Sequence, residues 1–198
     1  MLLRRPYWYL RHGETDWNAK GLSQGRTDVP LNATGREQAI AAGERLARHW
    51  RDGVRPMTCI VASPLERALN TAQAAQAAIR DASGVELPLS VDPELEEVCF
   101  GVMEGEPMGD WYDPWIEGEY LPEGCETFAG LTERAARAVT RTLEHAGPEG
   151  LPLIVAHGAL FRALRAAMGL PINVRLANAV PLYVSPEGEG WSLKAYAN

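Results

Sequence analysis

The sequence predicts an α/β protein, a three-layer αβα sandwich on a mainly parallel sheet, and three observations carry that expectation. Short, buried strand-like runs alternate with helix-length segments of period 3.6 along the chain. Two of those runs end in the same dipeptide, His12-Gly13 and His157-Gly158. The 198 residues suffice to bury a full core as one unit. Residues 1–198 therefore read as a single domain with one excursion, at about residues 105–127.

Tyr7-Trp8-Tyr9-Leu10 is rich in residues that suit a pleated, buried strand, which would deliver Arg11 and His12 to its carboxyl end. Open α/β sheets place their ligand sites there. Gly13 reads as a residue chosen for its conformational freedom. Thr34-Gly35-Arg36-Glu37 has the form of a capping box, and Ile40, Gly43, Leu46, Ala47 and Trp50 follow as a helical stripe. Cys59-Ile60-Val61-Ala62 reads as a buried strand. Ser63-Pro64-Leu65-Glu66 has the form of a second capping box with Pro64 at the first helical position, before the stripe Leu65, Ala68, Leu69, Ala72, Ala75 and Ile79. Phe128, Leu131, Ala135, Val139 and Leu143 mark a third helix. Residues 151–156 read as a strand, and Leu160, Phe161, Leu164 and Met168 as a short helix closed by Gly169 and Pro171. Residues 180–185 and 191–195, joined by Glu187-Gly188-Glu189-Gly190, predict a closing hairpin whose Trp191 is a candidate homodimer interface. Residues 105–127 break the rhythm with turn formers, four aromatics and seven carboxylates, and no Lys or Arg. A connection of that length without clear structure is usually functional or mobile.

Composition excludes several classes of function. Nineteen Lys and Arg against 26 Asp and Glu give a net charge of −7, which opposes nucleic-acid binding and confines any bound anion to a local basic pocket. Cys59, Cys99 and Cys125 are odd in number and lack metal-ligand spacing, so reduced thiols in a cytoplasmic protein are expected, with no metal and no cofactor. The opening Met1-Leu2-Leu3-Arg4-Arg5-Pro6 has no apolar run after its charges, which argues against a signal peptide, and no segment is long enough to span a membrane.

Four segments carry chemistry. Arg11-His12-Gly13 pairs a guanidinium with an imidazole at a strand end; alone, such a pair is often surface punctuation. Arg67 falls in the first turn of a helix that follows a strand, where backbone N–H groups already favour an anion, although a lone helical Arg is usually solvated. His157-Gly158 brings a second imidazole to the same end of the sheet. Glu96-Glu97 supplies a candidate acid. Phosphoryl transfer needs fixed positive charge at the equatorial oxygens, an activated nucleophile and a proton donor, and these segments supply all three.

In this order and spacing the chain resembles the histidine phosphatase superfamily, whose founding members are the cofactor-dependent phosphoglycerate mutases. The residues that carry the resemblance are Arg11-His12-Gly13-Glu14-Thr15 with Trp17-Asn18, Gln24-Gly25-Arg26 with Asp28, and Ser63-Pro64-Leu65 with Arg67-Ala68 and Thr71-Ala72. Leu95, Glu97, Gly101, Glu104-Gly105, Val155, His157-Gly158 and Arg162 continue it. The resemblance implies a phosphoglycerate mutase-like fold with His12 as nucleophile, Arg11, Arg67 and His157 as phosphate clamp, and Glu97 as proton donor. Asn18, Gln24, Gly25 and Gly158 fall where the family lines its pocket. Ala159 and Met103 depart from the commoner polar and aromatic residues, which touches substrate contacts and not the core chemistry.

The expected activity is phosphomonoester hydrolysis of small molecules through a phosphohistidine, with the other ring nitrogen of His12 bonded to a backbone carbonyl near Gly13. The alternatives are a mutase-type phosphotransferase and a non-catalytic phospho-ligand-binding module. Gly21-Leu22-Ser23-Gln24-Gly25 also satisfies the serine-hydrolase elbow pattern, but that elbow requires a strand before it and a helix after it. The excursion contributes no basic residue, which favours hydrolysis over mutase action. If its carboxylates lie over the pocket, monophosphates of neutral, aromatic or amine-bearing alcohols are the preferred substrates.

Overall fold

A computed structural model describes residues 2–51 and 57–197, without the side chains of residues 50 and 51. Six strands form one sheet: β1 (Tyr7–Arg11), β2 (Cys59–Ala62), β3 (Leu89–Val91), β4 (Pro152–Ala156), β5 (Leu182–Glu187) and β6 (Gly190–Ala195), in the order β3-β2-β4-β1-β5-β6. The first four strands pair in parallel, and β5 and β6 add antiparallel. Six α-helices accompany them: α1 (Asp16–Lys20), α2 (Ala33–Arg51), α3 (Glu66–Ser83), α4 (Tyr112–Glu117), α5 (Phe128–His145) and α6 (Gly158–Ala167). This is the α/β fold with a mainly parallel sheet that the alternation predicts.

The layers follow from the period of two along β1. Tyr7 and Tyr9 enter one core with Leu131, Ala135 and Val139 of α5 and Leu160 and Phe161 of α6. Trp8 and Leu10 enter the other, with Leu46 of α2 and Ala72, Ala75 and Ile79 of α3. A strand buried on both faces has no reason to alternate polar residues, hence the continuous apolar run.

Several local expectations need correction. The α2 cap is Asn32, whose side chain accepts from the Gly35 N–H at 2.8 Å; Thr34 already lies inside the helix. Ile40 is 55% exposed, so it leaves the predicted stripe, and the Trp50 side chain falls outside the described residues. Ser63 does not cap α3, which starts at Glu66 after an uncapped Leu65 and leaves Pro64 outside it. The carboxylate of Asp28 accepts from the Glu66 N–H instead, at 2.9 and 3.1 Å. Gly13 is not in the positive-φ region; a Cβ there would lie 2.3 Å from the Gly35 carbonyl oxygen, so close approach of two backbones explains it. The short α1 and the three-residue β3 gave no periodic signal. The excursion is not structureless, since it contains α4, whose Tyr112 and Trp115 are buried against Phe100. The hairpin forms, and Trp191 packs partly buried against the core beneath the Arg4 guanidinium, 5.4 Å from its ring.

Candidate active site

Two adjacent parallel strands bring the two histidines together. β1 and β4 pair Leu10 with Val155 and Arg11 with Ala156, and the His12 N–H extends the ladder to the Ala156 carbonyl at 3.0 Å. The rings of His12 and His157 consequently lie 5.3 Å apart, centroid to centroid. His12 Nδ1 is 2.7 Å from the Gly13 carbonyl oxygen, so Nδ1 carries the proton and Nε2 keeps its lone pair, as expected from the sequence. Burial, then the charges of Arg67 and Arg11, hold the His12 imidazole well below its usual pKa, against a smaller opposite effect of the Gly13 hydrogen bond.

The arginines are held mainly by backbone oxygens; the one carboxylate ion-paired with them among the described residues is Asp28, 3.8 Å from Arg67 Nη1. Arg67, completely buried, donates from Nη2 to the Gly25 carbonyl at 2.7 Å and from Nη1 to the Thr27 carbonyl at 2.9 Å. Arg11 donates from Nη1 to the Leu176 carbonyl at 2.7 Å, and burial pushes its pKa down to about 10, still cationic at neutral pH. A Cβ on Gly158 would stand 3.2 Å from Arg11 Nε, so glycine there leaves room for the guanidinium. Gly25 turns its carbonyl toward Arg67 and leaves space for Glu104, which accepts from the N–H groups of Arg26 and Thr27.

His157 is fully buried behind His12 and does not itself line the cavity. Its backbone is fixed twice by the Tyr9 hydroxyl, which accepts from the His157 N–H at 3.1 Å and donates to its carbonyl at 2.7 Å. Nε2 lies 2.7 Å from Ser63 Oγ. Arg11 Nε, Arg67 Nε and His157 Nδ1 are each buried without a hydrogen-bond partner among the described residues, whereas buried polar groups are normally satisfied. Three such nitrogens in one place suit a bound oxyanion.

Glu97 lines the cavity and anchors at the start of α6. Its Oε1 accepts from the N–H groups of Val98 (3.1 Å) and Leu160 (2.9 Å), and Oε2 from Ala159 (3.0 Å). Ala159, the departure noted in the sequence, thus contributes its backbone. Glu96 points away toward Arg26, 3.3 Å distant. Asn18 and Gln24 line the cavity as expected; Asn18 Oδ1 is occupied by the Thr15 N–H and the Asn178 amide, and Gln24 Oε1 by the Thr15 hydroxyl. Ser23 is buried, with its hydroxyl donating to the carbonyl of Met103, and no strand-turn-helix surrounds it, so the elbow reading falls.

The cavity measures about 250 Å³, and its outer part is lined by Phe100, Met108, Tyr112, Leu176, Arg162 and Arg175. The excursion contributes Met108 and Tyr112 to this lining and none of its carboxylates; among the described residues Glu97 is the sole acidic lining group. This overturns the expected acidic cover. Sequence reasoning missed Arg175 and Leu176, which lie between α6 and β5 without periodicity, and it gave Ser63 only a capping role. Arg162 was visible as a motif residue; its guanidinium sits 5.0 Å from the Tyr112 ring centroid.

The geometry accords with the family comparisons. The chain belongs to the histidine phosphatase superfamily (branch 1), whose profile matches residues 7–198. It is 35% identical over 191 residues to the uncharacterized phosphatase PhoE of Bacillus subtilis (strain 168), covering 94% of this chain and 91% of that one. It is 37% identical over 174 residues to the probable phosphoglycerate mutase GpmB of Yersinia enterocolitica, covering 82% and 74%. Among solved structures it is similar to the mycobacterial glucosyl-3-phosphoglycerate phosphatase in complex with VO3, with a TM-score of 0.75 at 28% identity over 97% of this chain and 98% of that one. No helix among the described residues is long and apolar enough to cross a membrane.

Proposed function

We propose that the protein is a metal-independent phosphomonoesterase of the acid phosphatase type, working through a phosphohistidine on His12. The observation that carries this reading is the convergence of three orphaned nitrogens, on Arg11, Arg67 and His157, around a neutral imidazole whose Nε2 is free. Nε2 of His12 attacks phosphorus in line as the ester P–O bond breaks, and Glu97 gives its proton to the departing alkoxide. Water then attacks the phosphohistidine, Glu97 takes the water proton, the P–N bond breaks and phosphate leaves. The three N–H groups on Glu97 cradle the carboxylate between the two steps. Arg11 and Arg67 supply permanent positive charge at the equatorial oxygens, the task a metal performs elsewhere.

The substrate is a small phosphate ester whose alcohol carries its own acidic group. Arg162 and Arg175 line the outer cavity without a carboxylate partner among the described residues, and 250 Å³ lies below the roughly 300–1,000 Å³ usual for drug-sized ligands. A phosphorylated hydroxy acid, the class that glucosyl-3-phosphoglycerate phosphatase is named for, fits both facts. The same arginines also suit the phosphoglycerate mutase reading and remove the sequence argument against it. Three unpaired cysteines and the acidic surface support a cytoplasmic enzyme acting on small molecules, without nucleic-acid or membrane partners.

Acid-labile phosphate should accumulate on His12 after rapid quenching with a phosphomonoester, and His12→Ala should abolish both the label and turnover while the protein stays folded. Full activity in His12→Ala defeats the reading, and the absence of any label or turnover favours a binding module. Release of inorganic phosphate from 3-phosphoglycerate, rather than its isomerisation with 2,3-bisphosphoglycerate present, separates phosphatase from mutase.

A further inference from the structure

We propose that Ser63 is a positioning residue that sets the tautomer of His157: its hydroxyl donates to Nε2, so the ring carries its single proton on Nδ1, toward the phosphoryl site. The use of that proton rests on the phosphatase reading above; its location does not.

The position of Ser63 follows from the sheet. Its N–H donates to the Val155 carbonyl at 2.9 Å, carrying the β2–β4 ladder one residue beyond β2 and setting the side chain opposite the end of β4. Ser63 is fully buried, and Oγ has two partners among the described residues: the Leu65 N–H, which donates to it at 3.3 Å, and His157 Nε2 at 2.7 Å. A hydroxyl has one proton and two lone pairs. Were Oγ to accept from both partners, its own proton would be left buried with no acceptor, an arrangement folded proteins avoid. Donation to Nε2 uses the proton and leaves one lone pair for Leu65.

The other nitrogen leads to the same assignment. His157 Nδ1 is buried and unpartnered, and the Tyr9 hydroxyl fixes the His157 backbone on both sides. Burial and the charges of Arg67, His12 and Arg11 hold the imidazole neutral at ordinary pH, so only one nitrogen is protonated. With the proton on Nε2, Nδ1 would keep a buried lone pair with no donor among the described residues. With the proton on Nδ1, a neutral His157 donates to a phosphoryl oxygen and satisfies the third orphaned nitrogen.

Long-range ¹H–¹⁵N spectroscopy of the resting, ¹⁵N-labelled full chain tests this directly, with His157 assigned by its loss in His157→Gln. The expected spectrum has a protonated Nδ1 and an unprotonated Nε2. Ser63→Ala should move protonation toward Nε2 and lower kcat by about 10²-fold, the effect of removing one oxyanion donor, with KM changed far less. Ser63→Thr, which keeps the hydroxyl, should restore the tautomer and part of kcat. A protonated Nε2 in the wild type, or an unchanged tautomer in Ser63→Ala, overturns the proposal. The expected spectrum in a protein that hydrolyses no phosphomonoester would defeat the functional reading and leave the tautomer assignment standing.

Discussion

Arg134 of α5 donates to the backbone carbonyl of Glu97 at 3.3 Å, so the segment bearing the candidate acid is tied to the helix layer beneath it. The same guanidinium donates to the carbonyls of Glu94 (2.8 Å) and Glu96 (2.7 Å) and to both carboxylate oxygens of Glu126 (2.8 and 2.7 Å). Arg134→Met would leave the Glu94 and Glu96 carbonyls without their donor, and the Glu97 carbonyl and Glu126 carboxylate with only the more distant Arg26, at 3.5 and 4.0 Å. Breaking such a pair from one side costs about 3–5 kcal/mol. Urea unfolding should register a loss of that size, and kcat for alkyl phosphates should fall as Glu97 loses its fixed position. Unchanged stability together with unchanged kcat would show that the segment holds itself.

The two site histidines make folding sensitive to acid. Both are held well below the usual imidazole value, chiefly by burial and then by the Arg67 charge. In the unfolded chain they titrate near 6.5. As pH falls below about 6.5 the unfolded chain takes up protons that the folded chain refuses, so stability present at neutral pH is progressively lost toward the lower folded-state values. The limiting slope is about 1.4 kcal/mol per pH unit for each histidine, or about 2.7 for the pair. Urea midpoints between pH 7.5 and 5.5 should follow this trend, less steeply in His157→Gln. Catalysis should differ, since His12 stays neutral and the acidic limb of kcat/KM should fall well below 6.5. A limb at or above 6.5 would contradict the neutral nucleophile.

Leaving-group dependence distinguishes Glu97 from its neighbour. Glu97→Gln removes the transferable proton and sets an amide NH2 against an N–H donor of Val98, Ala159 or Leu160. Alkyl phosphates should slow by about 10²–10⁴-fold, the usual scale of general acid catalysis, and p-nitrophenyl phosphate far less. Glu96→Gln, which loses only a contact with the half-exposed Arg26, should change neither much. Equal losses on both substrates in Glu97→Gln would remove Glu97 from the acid role.

The strands were legible because β1 and β4 are buried on both faces, and the site was legible where chemistry coincided with a strand end, at Arg11-His12-Gly13 and His157-Gly158. Helix caps were less so. Asn32, directly before α2, caps it in place of Thr34, a local choice between two good capping residues; Asp28, 38 residues from the α3 start it caps, displaced Ser63, and a local pattern cannot register that. The Tyr112 and Trp115 rings looked like an open cover because their spacing fits a loop as well as a short helix; in the fold both rings pack on Phe100, and Tyr112 also lines the cavity. Arg175 could not be placed, since a loop of irregular backbone carries no period to say which way its side chains face.

The outer cavity gives the last prediction, which reverses the expectation from the acidic excursion. Arg162 and Arg175 face a cavity whose only acidic lining group among the described residues is Glu97, and Arg175 is close enough to Arg11 to disfavour its charge. A carboxylate on the departing alcohol would relieve that repulsion and accept charge-assisted hydrogen bonds, each contributing about 1.5–3 kcal/mol, or roughly 10–100-fold. The kcat/KM for 3-phosphoglycerate should therefore exceed that for glycerol 3-phosphate, which lacks the carboxylate. Arg162→Met and Arg175→Met should each narrow that ratio, mainly through KM, and leave p-nitrophenyl phosphate nearly unchanged. Higher salt should narrow it as well, because the outer cavity opens to solvent. A ratio below one that neither substitution alters would mean that the two arginines read no carboxylate, and that the alcohol is selected by the apolar wall of Phe100, Met108, Tyr112 and Leu176.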